Sequence, residues 1–165
     1  MRKSKYAAGG RSLWWQVAIS STGDGMFLTA FPLLAASLTR DPGAIALVTV
    51  ASRAPWLFFS LLFGAIADRF DRRWLMVTAD VVRGLVVAVL GALVITHEAT
   101  IPLLYICAFV LGSGEVLHAN SAQALIPKII GHDDLVAFNG SATALQAATE
   151  TFIGPPIGSA LFAVS

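Results

Sequence analysis

The chain contains the run Gly84-Leu85-Val86-Val87-Ala88-Val89-Leu90-Gly91-Ala92-Leu93-Val94-Ile95, in which no side chain is polar. This run closes an apolar segment at about 74–95, and a helix needs roughly 20 such residues to cross a hydrocarbon core of about 30 Å. Strands of an outer-membrane barrel are instead segments of about ten residues in which apolar and polar residues alternate. Because this run does not alternate, it predicts a membrane-spanning helix.

Four further segments share this length and apolarity, and they lie at about 13–38, 43–67, 101–124 and 140–164. Polar and turn-forming residues cluster between the segments, where spanning helices are expected to end. The sequence therefore predicts an all-α fold, a polytopic transmembrane helix bundle of about five spans at 13–165. A basic N-terminal tail at 1–12 precedes it, and no connection is long enough to hold a soluble domain.

The composition supports the same class of protein. Of the 165 residues, 56% are hydrophobic and 13% are charged, whereas soluble domains average about 45–50% and about 25%. Disordered chains have the opposite composition, and the single cysteine, Cys107, excludes a disulfide framework. A net charge of +1 gives no indication of nucleic-acid binding, so the expected partner is the lipid bilayer and not nucleic acid.

The basic residues indicate the orientation, since the cytoplasmic loops of membrane proteins are rich in Lys and Arg. If the N-terminus is cytoplasmic, eight of the eleven basic residues lie inside, and Arg40 alone lies in an outside loop. The eight inside residues are Arg2, Lys3, Lys5, Arg11, Arg69, Arg72, Arg73 and Lys128. This bias predicts an integral protein of the bacterial inner membrane with its N-terminus in the cytoplasm.

Six ionisable residues lie inside the predicted spans, where a charge costs at least about 2.5–3.5 kcal/mol and indicates a functional role. Asp24 continues a polar stripe with Gln16 and Ser20, while Gln146 and Glu150 share one face of the last span. We expect Glu150 or Asp24 to carry the proton. The predicted substrate and proton cavity is lined by Gln16, Ser20, Asp24, Glu115, Gln146 and Glu150.

The alternative is that these acids are structural and paired, for example Asp24 with Arg53. Asp80 and Arg83 are three residues apart, which suits pairing with each other or with the basic loop before them. His118, one helical turn after an acid of the fourth span, is the one histidine that suits a proton relay.

The sequence contains no pattern typical of a cofactor site or of an enzyme active site. It has no second cysteine, no pair of histidines at helical spacing and no loop with clustered carboxylates, so we predict no metal site. Gly112 and Gly114 lie inside an apolar span and indicate close helix packing instead of a phosphate-binding loop. No nucleophile motif occurs. We therefore expect no cofactor and no enzymatic activity.

One connection is specific enough to suggest a family. The residues Gly64-Ala65-Ile66-Ala67-Asp68-Arg69-Phe70-Asp71-Arg72-Arg73 join the second and third spans. They resemble the signature loop of the major facilitator superfamily, roughly G-x-L-A-D-R-x-G-R-R, at the position where that family has it. The resemblance implies a cytoplasmic gate formed by Gly64, Asp68, Arg69, Arg72 and Arg73, with Asp80 and Arg83 as further members.

Three positions of this loop carry specific expectations. Gly64 should allow tight helix packing, and Asp68 should cap or face a helix N-terminus. Asp71 stands where the family has its second glycine, which either restricts the turn or gives Arg72 or Arg73 a local partner.

A second resemblance lies in the last span. Gly154-Pro155-Pro156-Ile157-Gly158-Ser159 is similar to the end of the antiporter motif of export members, although Ser141 and Glu150 occupy its upstream glycine positions. The resemblance implies that Gly154, Pro155 and Gly158 control helix packing and bending. A helix that is merely kinked by proline and packed through glycine is the alternative. The stretch from Pro127 to Pro155 further resembles the exporter branch that includes siderophore and macrolide efflux proteins.

Taken together, the resemblance implies a transporter of two six-helix halves that works by alternating access around a midplane site. The chain would supply helices one to five of the first half, with the sixth helix and the C-terminal half absent, so we expect a truncated chain. The expected activity is proton-coupled efflux of amphipathic small molecules. The partners would then be substrate, protons and the missing C-terminal half.

Two rival functions remain open. The chain could be a complete small multi-span membrane protein that acts as a structural or regulatory partner of other helices. A proton-coupled importer of the same superfamily has the same signature loop, and only the partial motif in the last span favours export.

Overall fold

The computed structural model of the protein describes residues 7–129 and 135–164, with side chains described at 14–126 and 135–160. These residues form six α-helices and no β-strand, which confirms the all-α prediction. The helices are α1 (Ala7–Leu38), α2 (Pro42–Arg69), α3 (Arg72–Ile95), α4 (Ile101–Ile129), α5 (Leu135–Ala148) and α6 (Gly154–Val164). A π-helical turn, Thr149–Ile153, joins α5 to α6.

Four helices are long and apolar enough to cross a membrane: Trp14–Leu38, Pro42–Arg69, Arg72–Ile95 and Ile101–Ile126. The fifth predicted span differs from them. Residues 135–164 are helical throughout, but the π-helical turn divides them into α-helices of 14 and 11 residues. The bundle is therefore helical in all five predicted spans, and the fifth is interrupted.

The helices extend beyond the apolar segments that the sequence indicated. Residues 7–12, predicted as tail, belong to α1, and α4 continues to Ile129 instead of ending near 124. The rest of the predicted tail and residues 130–134 lie outside the described residues. Polar residues at a helix end can be solvated at the membrane surface, so apolarity marks the membrane-embedded part of a helix and not its ends.

The connection between α2 and α3 consists of two residues, Phe70 and Asp71. Asp71 caps α3, because its side-chain oxygen accepts a hydrogen bond from the backbone N–H of Arg73 at 2.9 Å. Its backbone is extended, with φ −66° and ψ 115°. No left-handed conformation is needed here, so an aspartate can stand where the family has glycine. Its local partner is a backbone N–H and not a guanidinium.

The chain divides into two compact units. The first contains residues 7–30, 125–129 and 135–164, and the second contains residues 31–124. In the second unit, two hydrogen bonds from side chains of α4 to backbone carbonyls of α2 join the two helices, one near each end of the contact. The Tyr105 hydroxyl donates to the Ala44 carbonyl at 3.1 Å, and the Asn120 amide donates to the Ser60 carbonyl at 3.0 Å. Residue numbers rise together along both helices, so α2 and α4 run parallel.

Between these two ties the backbones of α2 and α4 touch. A methyl group added at Gly112 would collide with the Ser52 carbonyl oxygen and lie 3.3 Å from the Pro55 ring. Helices in lipid associate through close packing at small residues, because lipid is as apolar as the side chains. Leu104 and Val116, on the same helix as Gly112, are completely buried. The α2–α4 contact is therefore the packed core of the second unit.

Replacing Gly112 by alanine should destabilise the protein. The added methyl group forces the α2 backbone away, and overpacking of this kind costs about 1–3 kcal/mol of unfolding free energy. Gly91→Ala is the matched control, since a methyl group there meets nothing within 4 Å. Reversible unfolding in mixed micelles measures both variants. Equal stabilities would contradict the backbone contact at Gly112.

Candidate functional site

Two acids of the second unit are paired across helices. Arg53 of α2 lies 3.5 Å from the Glu115 carboxylate of α4, and Asp80 of α3 lies 3.7 Å from the Nε2 of His118 of α4. Side chains in these pairs range from 13% exposed for His118 to 49% for Asp80. One turn of α4 therefore pairs with both α2 and α3. The pair with α3 has opposite charges when His118 is protonated.

These pairs change the roles expected for four residues. Arg53, considered as a partner for Asp24, contacts Glu115, which was predicted for the cavity. His118 lies against Asp80. The stem of Arg83 passes over Gly114, where an added methyl group would lie 2.7 Å from the Arg83 Cγ. The structure therefore packs Arg83 against the α4 backbone.

The signature loop has one salt bridge between its charged side chains. Arg72 donates to the Asp68 carboxylate at 3.2 Å, with 16% of the Arg72 side chain exposed. Asp68 was expected to cap or face a helix N-terminus; Asp71 is the residue that caps α3, and the Asp68 carboxylate binds the Arg72 guanidinium. Arg69 and Arg73 are exposed. The structure therefore contains one ion pair, Arg72–Asp68, within this loop.

Gly64 is the member of the predicted gate that does not pack closely. A methyl group placed on Gly64 meets nothing within 4 Å among the described residues. Ala67, three residues later on α2, is buried, with 1% of its surface exposed. Close packing at this end of α2 is thus made through Ala67, and tight packing at Gly64 is not seen.

In the first unit, α1 packs against the π-helical turn and α6 through glycines of both segments. A methyl group at Gly25 would collide with the Glu150 carbonyl oxygen and lie 2.9 Å from the Glu150 Cα. Methyl groups at Gly154 and Gly158 would lie 2.6 Å from the Gly25 Cα and 2.7 Å from the Met26 carbonyl oxygen. The backbones of the two segments are therefore in direct contact.

The π-helical turn is explained by the two prolines that come after it in the sequence. Pro155 and Pro156 have no N–H, so they cannot donate to the carbonyls of the preceding turn, and their rings crowd those carbonyls. The Gly154 N–H reaches back five residues to the Thr149 carbonyl instead of four. This widened turn brings the Glu150 backbone against Gly25 of α1.

The contact also brings two acidic residues to one level. Asp24 immediately precedes Gly25, and Gly25 touches the backbone of Glu150. Both acids are half-buried, as are Gln16 and Ser20, whereas Gln146 is exposed. The first unit thus places two acidic residues at one level of neighbouring helices. The Trp14 and Phe138 rings of the same helices lie 5.4 Å apart, so the two helices run parallel.

The sequence reasoning missed several of these positions. Gly25 was not singled out, although a glycine inside an apolar span beside an acid signals a close backbone approach. Tyr105 and Asn120, which tie α4 to α2, carry no signal that separates them from other polar residues of the span. Among the residues that the structure describes, no three His, Cys, Asp or Glu side chains form a group that could hold a metal ion.

Comparison with known proteins gives a family match over most of the chain. Residues 7–165 match the family model described as transmembrane secretion effector. An uncharacterized MFS-type transporter of Mycobacterium tuberculosis is 30% identical over 143 residues, which are 84% of this chain and 32% of that protein. No solved structure gives a significant match.

Two further relatives are named as efflux proteins. Macrolide efflux protein A of Streptococcus pyogenes is 24% identical over 130 residues, covering 77% of this chain and 32% of that protein. The multidrug efflux pump Tap of Mycobacterium tuberculosis is 34% identical over 70 residues, covering 42% and 17%. The chain therefore spans about a third or less of the length of these relatives, in their N-terminal portion.

Gly25→Ala should separate α1 from the π-helical turn, because a Cβ at this position meets the Glu150 backbone. We expect a loss of about 1–3 kcal/mol in unfolding free energy. Gly23→Ala is the matched control on the same helix, where a methyl group meets nothing within 4 Å. Unfolding in mixed micelles tests both, and a destabilised Gly23→Ala with an unchanged Gly25→Ala would contradict this geometry.

Arg53→Gln and Glu115→Gln should each lower the unfolding free energy by about 1–3 kcal/mol, between the values for exposed and buried ion pairs. The double variant should lose less than the sum of the two, because each single change leaves one charge without its partner. Arg40→Gln, at an exposed position, is the control. Strict additivity in this cycle would show that the two side chains do not interact.

Proposed function

This chain belongs to the transmembrane secretion effector family of the major facilitator superfamily, and we propose that it works in proton-coupled efflux of amphipathic small molecules. Membership makes it part of an integral membrane transporter. The names of two relatives, a macrolide efflux protein and a multidrug efflux pump, support export over import. Transport requires binding and a conformational change and no catalytic group, so we propose a non-enzymatic function.

The observation that supports the proposal is the contact of Gly25 with the Glu150 backbone, which places Asp24 and Glu150 at one level of the first unit. A charged carboxylate is costly at membrane depth, and a proton removes that cost. In our proposal the acids release protons in one state of the transporter and bind them in the other. The substrate exchanges with those protons by alternating access.

The remaining elements have supporting roles in this scheme. We propose that Gln16, Ser20 and Gln146 line the path beside the acids, and that the bend at Pro155 sets the packing of α6 on α1. Glu115 is held by Arg53, which favours a structural role for it within the second unit. The Asp68–Arg72 pair would act as a cytoplasmic gate with Arg69, Arg73, Asp80 and Arg83 nearby in the sequence.

We also propose the membrane arrangement and the partners of the chain. The positive-inside bias supports a cytoplasmic N-terminus in a bacterial inner membrane. Since the chain spans about a third of its relatives, we propose that the substrate path includes helices that correspond to the rest of those proteins. The C-terminal half would then provide the other side of the gate.

Asp24→Asn and Glu150→Gln test the proton role in the native full-length protein. We expect each variant to reduce ΔpH-driven accumulation of a fluorescent amphipathic dye inside inverted vesicles, where export becomes uptake, by about tenfold, the effect of about 1.4 kcal/mol. Glu98→Gln, at an exposed loop position, is the matched control. Full proton-driven efflux in both variants would overturn the assignment, and dye movement in the opposite direction would favour an importer.

A further inference from the structure

Helices α3 and α4 approach each other at neighbouring turns. A methyl group added at Gly114 of α4 would lie 2.7 Å from the Arg83 Cγ and 3.7 Å from the Ala79 carbonyl oxygen of α3. About one turn after Gly114, the His118 Nε2 lies 3.7 Å from a carboxylate oxygen of Asp80. The close backbone approach and the polar pair therefore belong to one patch, which we call the α3–α4 contact.

The α3–α4 contact matters for α3 because this helix buries little of its surface. Among the residues that the structure describes, the buried residues of α3 are Met76, Ala79 and Leu90, and Ala79 lies within the contact. Lipid provides no hydrophobic force that would hold an apolar helix against its neighbours. A change in the strength of the α3–α4 contact therefore changes how firmly α3 is held.

The two ion pairs of α4 differ in how their charges depend on pH. Towards α2, Glu115 pairs with Arg53 at 3.5 Å, and guanidinium and carboxyl groups ordinarily keep their charges between pH 5.5 and 8. Towards α3, the base of the pair is a histidine, whose ordinary range of titration lies between these pH values. The His118 side chain is 13% exposed and that of Asp80 is 49% exposed. The histidine is thus largely shielded from its surroundings, while its acidic partner is half open to them.

The other charged groups around His118 are Arg53 from α2, Arg83 from α3 and Glu115 from α4 itself. The stem of Arg83 packs on the α4 backbone about one turn before His118. The two guanidinium groups and the carboxylates of Glu115 and Asp80 balance each other in number. The proton on His118 therefore decides the net charge of this cluster, and the group at 3.7 Å from the imidazole is a carboxylate.

We infer that the α3–α4 contact is a pH-sensitive switch, in which a proton on His118 holds α3 firmly against α4 and loss of that proton loosens it. When both groups are charged, the attraction between imidazolium and carboxylate acts across the two helices in a partly shielded site. The neutral imidazole leaves the Asp80 carboxylate without this attraction. Asp24 and Glu150, the proposed proton carriers, belong to the first unit, whereas the switch belongs to the second. The switch therefore goes beyond the proposed function.

A double-mutant cycle at two pH values tests the switch. Asp80→Asn and His118→Gln, singly and together, are compared with the native full-length protein by reversible unfolding in mixed micelles at pH 5.5 and pH 8. The cycle isolates the energy between the two side chains, so the titration of other groups cancels. We expect the pair to change the unfolding equilibrium constant about fivefold at pH 5.5, the upper range for a partly exposed ion pair. At pH 8 we expect no measurable coupling.

The cycle of Arg53→Gln and Glu115→Gln is the matched control, because this pair also joins α4 to a neighbouring helix. Its coupling should be equal at the two pH values. Equal coupling of Asp80 and His118 at both pH values, stronger coupling at pH 8, or none at pH 5.5 would overturn the inference.

If His118→Gln does not fold, Asp80→Asn alone provides the test. Its loss of stability relative to the native protein should be about fivefold larger in the unfolding constant at pH 5.5 than at pH 8. An equal loss at both pH values would overturn the switch. The measurement uses no substrate and no pH gradient, so its outcome is independent of whether the protein transports.

Discussion

Every backbone N–H and C=O inside a bilayer must find its partner within the protein, because hydrocarbon offers none. This constraint explains why the described residues form helices almost without interruption. It also draws attention to the π-helical turn, Thr149–Ile153, among the described residues. Pro155 and Pro156 follow this turn and lack the backbone N–H groups that would otherwise bond its carbonyls. Where a soluble protein would leave such carbonyls to water, a membrane protein must bury them, hydrate them or bind something to them.

The same apolar surroundings determine how the helices meet. Lipid provides no hydrophobic force between apolar helices, so association depends on backbones that approach closely. Gly112 allows this in the second unit, where α2 and α4 run parallel, and Gly25 with Gly154 and Gly158 allows it in the first. Two helices that are separated by an odd number of membrane crossings must run in the same direction; one crossing separates α2 from α4, and three separate α1 from the fifth predicted span. Each unit therefore contains a close parallel contact, as expected for consecutive spans that alternate in direction.

Two acids of the second unit face an opposite charge on a neighbouring helix. Glu115 and Asp80 face Arg53 and His118 across helix boundaries, which lowers the cost of keeping them at membrane depth. In the first unit, the contact of Gly25 with the Glu150 backbone places Asp24 and Glu150 at one level. In the proposed cycle the pairs of the second unit would hold the helices together, while Asp24 and Glu150 would exchange protons.

The amino-acid sequence by itself determined the fold class, the approximate spans and the family, because a continuous apolar run such as 84–95 has few alternatives and the signature loop is specific. The positions of Gly154 and Pro155 likewise pointed to packing and bending in the last span. Only the tertiary structure decided which acid faces which base, that Asp71 caps α3 while Asp68 binds Arg72, and that Gly25 meets Glu150. Helical periodicity places residues on a face but does not say which helix that face meets. Partner choice depends on the rotation and direction of each helix, and these are determined by contacts between residues distant in the sequence.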